Sequence, residues 1–433
     1  MTGPAKAEAA ADASPGGGVA GRGGERVRGA GPTAGPGPAG APDAAGARAA
    51  AGRPMRLLYL NQHPQFGSGS SNQLLQLVRE LVRRGHEVTV SAPRPSGPVP
   101  PELDLARFEE DAGARLVRLP PLAKRPRLDT LRALRRLVRE GRYDALHAIR
   151  GRSLDHLFLA TLGLRRCPPL VHTHGMQYPL DMFNSIKFRS RRVKRIIAVT
   201  EFVKQMMVRT GRIDPRKIEV VYQSAELERF DPARVDGAGV REEFGIPAGA
   251  PLVGIVANLG AYKRYDLFVD MAAKVRHQVP EAWFLSVGGG DATPYVEQAR
   301  ELGIADRIVF AGYRADVPRL IAAMDVTVNT SWNEALGTSR IESLAMGVPT
   351  VSFDGGGSPE VVRDGVTGFL APFPDTRAFA AHVAALLRDA ALREAMGRAA
   401  REDALRRFSL EAKADAYERI YHGLGAWVST VAS

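Results

Sequence analysis

Between Asn329 and Glu360 the chain reads NTSWNEALGTSRIESLAMGVPTVSFDGGGSPE, with Glu334 and Glu342 separated by seven residues. Glu334 falls in a loop after a short apolar run. Glu342 falls one turn into a helix that Gly347-Val348-Pro349 stops. Ionised carboxylates only accept hydrogen bonds, which suits them to the hydroxyls of a sugar or a ribose. The first amides of that helix, Gly337 to Ser339, are free donors at its positive end, where a diphosphate can bind without a metal. Glu342 would then reach the ribose. Two plainer roles stay open. Ser339-Arg340-Ile341-Glu342 also fits a capping box, and Glu334 fits a solvated loop carboxylate.

Histidines offer a second chemistry. His172 and His174 alternate on one strand, as two metal ligands could, but no third ligand lies near them in sequence. No metal is therefore assigned. His147 ends the apolar run ALHA and suits either strand-end packing or the wall of a site.

The elements that must position these groups alternate in type. Strand-like runs at 55–61, 87–91, 145–148, 170–173 and 196–200 are interleaved with helical periodicity at 73–84 and 131–140. A looser stretch at 226–250 reads as a linker. A second series follows, with strands at 252–256, 283–287, 308–311, 326–329 and 350–353. This predicts an α/β chain with two doubly wound parallel sheets, each opening a crevice at its strands' carboxyl ends. A last helix at 410–427 is expected to cross back to the first domain. The expected domains are 55–228, 229–410 and the returning segment 411–433.

Composition narrows the class. One cysteine, Cys167, excludes an internal disulfide framework and a Cys-based zinc site and favours a reducing, cytoplasmic compartment. No apolar run approaches the roughly 18 residues of a membrane-spanning helix. In residues 1–54, 38 are Ala, Gly or Pro, a composition expected to be disordered, and Met55 is the expected start of translation. The formal net charge is +12, yet residues 115–220 alone hold 25 Lys and Arg against 8 Asp and Glu. Such a one-sided basic domain attracts phosphates or an anionic membrane surface. Arg132, Arg135, Arg136 and Arg139 alternate with leucines, as in a basic amphipathic or an ordinary surface helix. No aromatic-interleaved RNA motif appears, and no nucleic acid partner is expected.

The 329–360 stretch resembles the E-x7-E signature of glycosyltransferase family 4, retaining enzymes with the GT-B fold of two Rossmann-like domains facing a central cleft. The likeness runs from Met55 to about Gly425, through RRGHEVTVSAP, VHTHG, IIAVTEFVKQMMV, KIEVVYQSAELERFDP, IVANLGAYKRYDLFVDMAAKV and GGGSPEVVRDGVTGFLAP. The resemblance implies transfer of a sugar from a nucleoside-diphosphate sugar, with no other cofactor. It implies that Glu334 contacts the donor sugar, Glu342 the ribose, and Lys263 the diphosphate. Leu336, Gly337 and Thr338 would offer amides to that diphosphate. Gly69 would allow close backbone approach in the first domain, and His174 would flank the reacting sugar. The segment around Tyr313 and Arg314 would recognise the base, largely through backbone.

The chain departs from the family pattern at Asn258, where an Arg is usual, so diphosphate clamping rests on Lys263 with help from Arg264. Ser68-Gly69 replaces the usual Gly-Gly pair, and Gln223-Ser224-Ala225-Glu226 replaces the NGVD passage. The expected acceptor is a glycolipid or cell-envelope glycan, with peripheral contact to the inner face of an anionic membrane. A small soluble acceptor and a non-catalytic sugar-nucleotide or membrane-surface binder are the alternatives. A nicotinamide dehydrogenase is disfavoured because Gly67-Ser68-Gly69-Ser70-Ser71-Asn72 lacks the third glycine and the second strand ends without an acidic residue.

Overall fold

Strands whose side chains are apolar on both faces must be covered on both faces, and that requirement organises the molecule. In the computed structural model, residues 53–430 are described except 64, 66–68, 101–103 and 176–178. The Ala/Gly/Pro-rich segment therefore lies almost wholly outside the described residues, as do the residues just before Gly69. The first sheet contains β1 (Arg56–Asn61), β2 (Glu87–Pro93), β3 (Arg115–Leu119), β4 (Ala145–Ile149), β5 (Leu170–His174), β6 (Val193–Ala198) and β7 (Ile218–Val220). The second contains β8 (Leu252–Val256), β9 (Trp283–Val287), β10 (Ile308–Phe310), β11 (Val326–Asn329), β12 (Thr350–Asp354) and β13 (Gly368–Pro372).

All strand pairs between these elements are parallel, in the orders β3-β2-β1-β4-β5-β6-β7 and β10-β9-β8-β11-β12-β13. Strand order reverses between β1 and β4 and between β8 and β11, which opens a crevice at each carboxyl edge.

Helices fill the crossovers that parallel pairing demands. Around the first sheet run α1 (Gly69–Arg83), α2 (Arg107–Glu110), α3 (Leu128–Gly141), α4 (Gly151–Ala160), α5 (Met182–Arg189) and α6 (Glu201–Gly211). Around the second run α7 (Val240–Glu243), α8 (Tyr265–Gln278), α9 (Thr293–Glu301), α10 (Val317–Ala322), α11 (Thr338–Ala345), α12 (Ser358–Val361), α13 (Thr376–Arg388) and α14 (Ala390–Arg407). The last helix, α15 (Leu410–Thr430), packs Tyr417, Ile420, Tyr421 and Leu424 into the first domain's core beside Leu74, Leu77 and Leu81 of α1. Ala225 and Phe230 of the connection join the core of the second domain instead.

Three strands escape the sequence pattern: β3, β7 and β13. All three are sheet edges, where an open side lets polar residues interrupt the apolar run. In β6 the pairing stops at Ala198, earlier than expected. Val199 and Thr200 leave the sheet because Thr200 Oγ1 caps α6, accepting from the Val203 amide at 3.1 Å. The linker is also shorter than 226–250, since Val240, Ile246 and Ala250 are buried in the second domain.

Candidate functional site

The second sheet's crevice is built from two loops. One leaves β8 and carries Asn258, Lys263 and Arg264; the other leaves β11 and carries Glu334 to Gly337. Lys263 Nζ meets Glu334 Oε1 at 2.5 Å, and both side chains are nearly buried. Asn329 donates to Glu334 Oε2 at 3.1 Å, and the buried Arg340 guanidinium lies 3.9 Å from the same oxygen. Burial pushes the Glu334 carboxyl up, but Lys263 and Arg340 outweigh it and hold the group at about 2. Two cations against one carboxylate leave the cluster one positive charge in excess, a setting for an anion.

The backbone is shaped around that cluster. Gly337 has φ 71°, and a Cβ there would fall 2.9 Å from both the Arg340 guanidinium and Glu334 Oε2. Arg340 donates to the Leu336 carbonyl and to Ser358 Oγ, which pins the start of α11. The amides of Gly337, Thr338 and Ser339 have no acceptor among the described residues. They form the free positive end that the sequence anticipates.

Glu342 behaves differently from Glu334. It is half-buried, and its carboxylate hydrogen-bonds to no described residue. The capping-box role fails because α11 starts at Thr338 with Gly337 as its cap, which leaves Ser339 already inside the helix. Burial raises the Glu342 carboxyl to about 7, with Arg229 opposing and Glu226 adding to the shift. The site thus holds one carboxylate saturated by cations and one left open.

At the first sheet's edge the chemistry is neutral. His172 Nδ1 faces the Ala148 carbonyl at 3.1 Å, and a carbonyl only accepts. His172 Nε2 must then accept from His174 Nδ1 at 3.4 Å, and His174 Nε2 is left buried, unprotonated and without a partner among the described residues. Burial, aided by the Lys187 ammonium, lowers His174 to about 4. His147 belongs to a structural network: Nδ1 meets Tyr421 Oη at 2.6 Å and Nε2 meets Thr173 Oγ1 at 2.8 Å. Among the described residues no His, Cys, Asp and Glu cluster could hold a metal ion.

Lys263, Glu334, Leu336, Gly337 and Thr338 therefore converge, while Glu342 lies a turn along α11 in the field of Arg229 and Glu226. Other expected donor contacts do not converge. The Arg264 guanidinium pairs with Asp266 and lies over Phe373. Arg314 is committed to Glu243 and Asp316. Asn258 accepts from the Gly289 amide and ties its loop to the one that leaves β9. Tyr313 is 79% exposed, and Gly69 opens α1. Sequence reasoning missed Arg340 and Asn329. An arginine at a helix position flanked by Ile341 and Leu344 was the available signal, since that face must be buried.

Comparisons with known proteins agree with this architecture. Residues 67–229 match the model of Glycosyltransferase Family 4, and residues 239–403 that of Glycosyl transferases group 1. A GDP-mannose-dependent alpha-(1-6)-phosphatidylinositol monomannoside mannosyltransferase of Mycolicibacterium smegmatis is 30% identical over 369 residues, spanning 81% of this chain and 93% of that protein. A D-inositol 3-phosphate glycosyltransferase of a Mycobacterium species (strain KMS) is 34% identical over 201 residues, 45% of this chain and 44% of that one. The solved structure of a glycosyltransferase from Rickettsia africae superposes with a TM-score of 0.76 at 21% identity, covering 86% of this chain and 98% of its own. With its two parallel-sheet domains and the E-x7-E loop in place, the chain belongs to the family 4 glycosyltransferases of the GT-B fold.

Proposed function

We propose that this protein moves a sugar, with retention of anomeric configuration, from a nucleoside-diphosphate sugar to a hydroxyl of a glycolipid or cell-envelope glycan precursor. The observation that carries the donor half is the Lys263–Glu334–Arg340 cluster beside the three unpaired amides of the α11 start. As the bond from the anomeric carbon to phosphate breaks, negative charge grows on the diphosphate. Lys263 and those amides would meet that charge already oriented, so little reorganisation would be required. Glu334 accepts from the sugar's hydroxyls and Glu342 from the ribose. Glu334 is engaged by Lys263 and Asn329, which favours a front-face substitution over a covalent intermediate. The acceptor oxygen bonds the anomeric carbon, and its proton passes to the departing phosphate oxygen. The unpartnered His174 Nε2 accepts from a hydroxyl at the reacting sugar. These residues meet the diphosphate charge without a metal ion.

The acceptor assignment rests on surface charge and on relatives. Arg132, Arg136 and Arg139 are exposed along α3, and Leu159, Leu162 and Ile186 are exposed nearby in the basic domain. Together they suit peripheral binding to an anionic membrane on its cytoplasmic face. The named activity of the Mycolicibacterium relative makes GDP-mannose the first donor to try. The inositol phosphate relative favours a small soluble anionic acceptor as the second reading.

A thermal-shift screen against nucleoside diphosphates and their sugars, without added metal, tests the donor half. One donor should raise the melting temperature by linkage, and Glu342→Ala should abolish the effect. No shift with any nucleotide would overturn the transferase assignment. Salt-dependent binding to anionic liposomes separates the two acceptor classes, and its absence favours the soluble one.

A further inference from the structure

A carboxylate outside the donor pocket joins the two domains. Glu360, in α12 of the second domain, accepts from the amides of Glu201 at 2.6 Å and Phe202 at 2.8 Å, the first two residues of α6 in the first domain. It also accepts from Tyr222 Oη in the connection at 3.1 Å. A carboxylate on two free amides at a helix start is a charge-assisted contact reinforced by the helix dipole. Thr200 Oγ1 already serves the Val203 amide, so Glu360 supplies two of the remaining acceptors that the helix start lacks.

The same turn grips the donor loop. The Gly357 amide donates to the Glu334 carbonyl at 2.8 Å. A Cβ on Gly357 would fall 1.7 Å from the Ala335 carbonyl oxygen and 3.0 Å from Thr200 Cγ2. Only a glycine fits between the loop that holds Glu334 and the residue that caps α6. Two residues, Ser358 and Pro359, separate that wedge from Glu360. Arg407 donates to the Glu360 carbonyl and lies over the rings of Tyr222 and Phe408, bracing the turn from behind.

We infer that Glu360 is a positioning residue: its carboxylate latches the second domain onto the start of α6 and thereby sets the donor loop against the first domain's edge. The consequence for turnover rests on the transferase reading above; the consequence for domain geometry does not. When the latch is released, the donor pocket remains whole but no longer faces the first domain's residues in a fixed register.

The test uses the full chain with dyes at Arg136→Cys and Arg377→Cys in a Cys167→Ser background, one on each domain. Energy transfer between the dyes reports domain separation. Glu360→Ala should add or enlarge a low-transfer population, and Glu360→Gln, which keeps one acceptor oxygen, should fall between it and the parent. Glu201→Pro provides an independent route. It deletes one donor amide at the first helical position, where proline is tolerated, and leaves Glu360 in place. It should shift the dyes in the same direction. Turnover should fall about tenfold in Glu360→Ala, equivalent to about 1.4 kcal/mol of barrier. Nucleoside-diphosphate affinity should stay within twofold. A merely structural role would instead lower nucleotide affinity and melting temperature together without moving the dyes, and that result overturns the proposal. So does an unchanged dye distance in both Glu360→Ala and Glu201→Pro. If no transfer is ever detected, the dye shift still decides the latch on its own.

Discussion

The carboxyl edges of the two sheets face the same problem with opposite chemistry. At the second sheet, Lys263, Glu334 and Arg340 form a charged cluster with the Asn329 amide. At the first, His174, His172, His147, Thr173 and the tyrosines of α15 form hydrogen bonds that are all neutral. Burial explains why the neutral side stays neutral: it pulls His147 to about 3 and His174 to about 4. The difference matches the division of labour in glycosyl transfer. A leaving diphosphate needs preorganised positive charge, whereas an incoming hydroxyl needs a hydrogen-bond acceptor and a dry wall.

Removing the cation from the charged edge should produce the largest effect. Lys263→Ala is expected to lower transfer by roughly 1,000-fold, the upper range for a lost charge-stabilising group. It also takes the 2.5 Å partner from Glu334 and leaves Arg340 at 3.9 Å as the remaining cation, which costs roughly 1–3 kcal/mol of stability. Lys263→Ala combined with Glu334→Ala leaves the buried Arg340 without its carboxylate, so it should be no more stable than Lys263→Ala and should show no transfer. His174→Ala, on the neutral edge, should cost far less, about tenfold. Steady-state transfer assays beside thermal melts check all three, and equal losses at the two edges would break the comparison.

The neutral side contains a buried cation, Lys413 of α15, whose ammonium donates, among the described residues, only to the Gln73 carbonyl and side-chain oxygen, at 3.1 and 2.7 Å. Burial lowers it to about 7. A lysine depressed in the fold contributes fully above its unfolded value near 10.4, and that contribution is lost as pH falls toward 7. Lys413→Met should therefore be more stable than the parent at pH 7, by on the order of 2 kcal/mol, with the gap closing near pH 10. Denaturant titrations at the two pH values measure it, and a gap that widened with pH would refute the assignment.

Much of the donor edge was legible in sequence, and for a physical reason. Glu334, Gly337, Thr338 and Glu342 lie within nine consecutive residues, so strand, turn and helix periodicity alone place them together. Lys263 entered through family resemblance, because its partner is 71 residues away. The first domain's network was not legible. His147 and Tyr421 are 274 residues apart and Tyr59 and Tyr421 are 362 apart, and no local pattern signals such pairs. The amphipathic basic helix was read correctly as periodicity but incompletely as charge use. Arg135 donates to the carbonyls of Ala160 and Leu162 at the end of α4, so that cation serves a helix terminus rather than a partner.

The two carboxylates of the donor edge sharpen the comparison further. Glu334 is held near 2 and Glu342 near 7, against an ordinary value of 4.5. A carboxyl raised in the fold contributes stability below about 4.5 that is lost as pH rises through 7. Glu342→Gln should therefore match the parent near pH 4 and exceed its stability at pH 8, by on the order of 1–2 kcal/mol. Binding should show the opposite trend. Ribose hydroxyls donate to the ionised form, so nucleoside-diphosphate affinity should climb between pH 6 and 8 in the parent and stay flat in Glu342→Gln. Calorimetric titration across that range checks this, and a parent profile as flat as the variant's would remove Glu342 from the ribose.

The smallest effect belongs to the neutral brace. Tyr421 Oη stands between His147 Nδ1 and the Tyr59 hydroxyl, and all three side chains are buried. Tyr421→Phe keeps the ring in the core and removes only the oxygen, so the loss is two neutral hydrogen bonds, to the His147 imidazole and the Tyr59 hydroxyl, about 1–2 kcal/mol. Because the network is neutral on every member, that loss should be nearly independent of salt and of pH between 6 and 8. The charged edge should behave differently, with the stability deficit of Lys263→Ala reporting a carboxylate left with only the more distant Arg340 and shrinking as pH falls and Glu334 takes up a proton. Melting curves of Tyr421→Phe and Lys263→Ala at two pH values place the edges side by side. A Tyr421→Phe deficit that tracked pH as steeply as the lysine variant's would mean that a charge is hidden in the network that joins α15 to the first sheet.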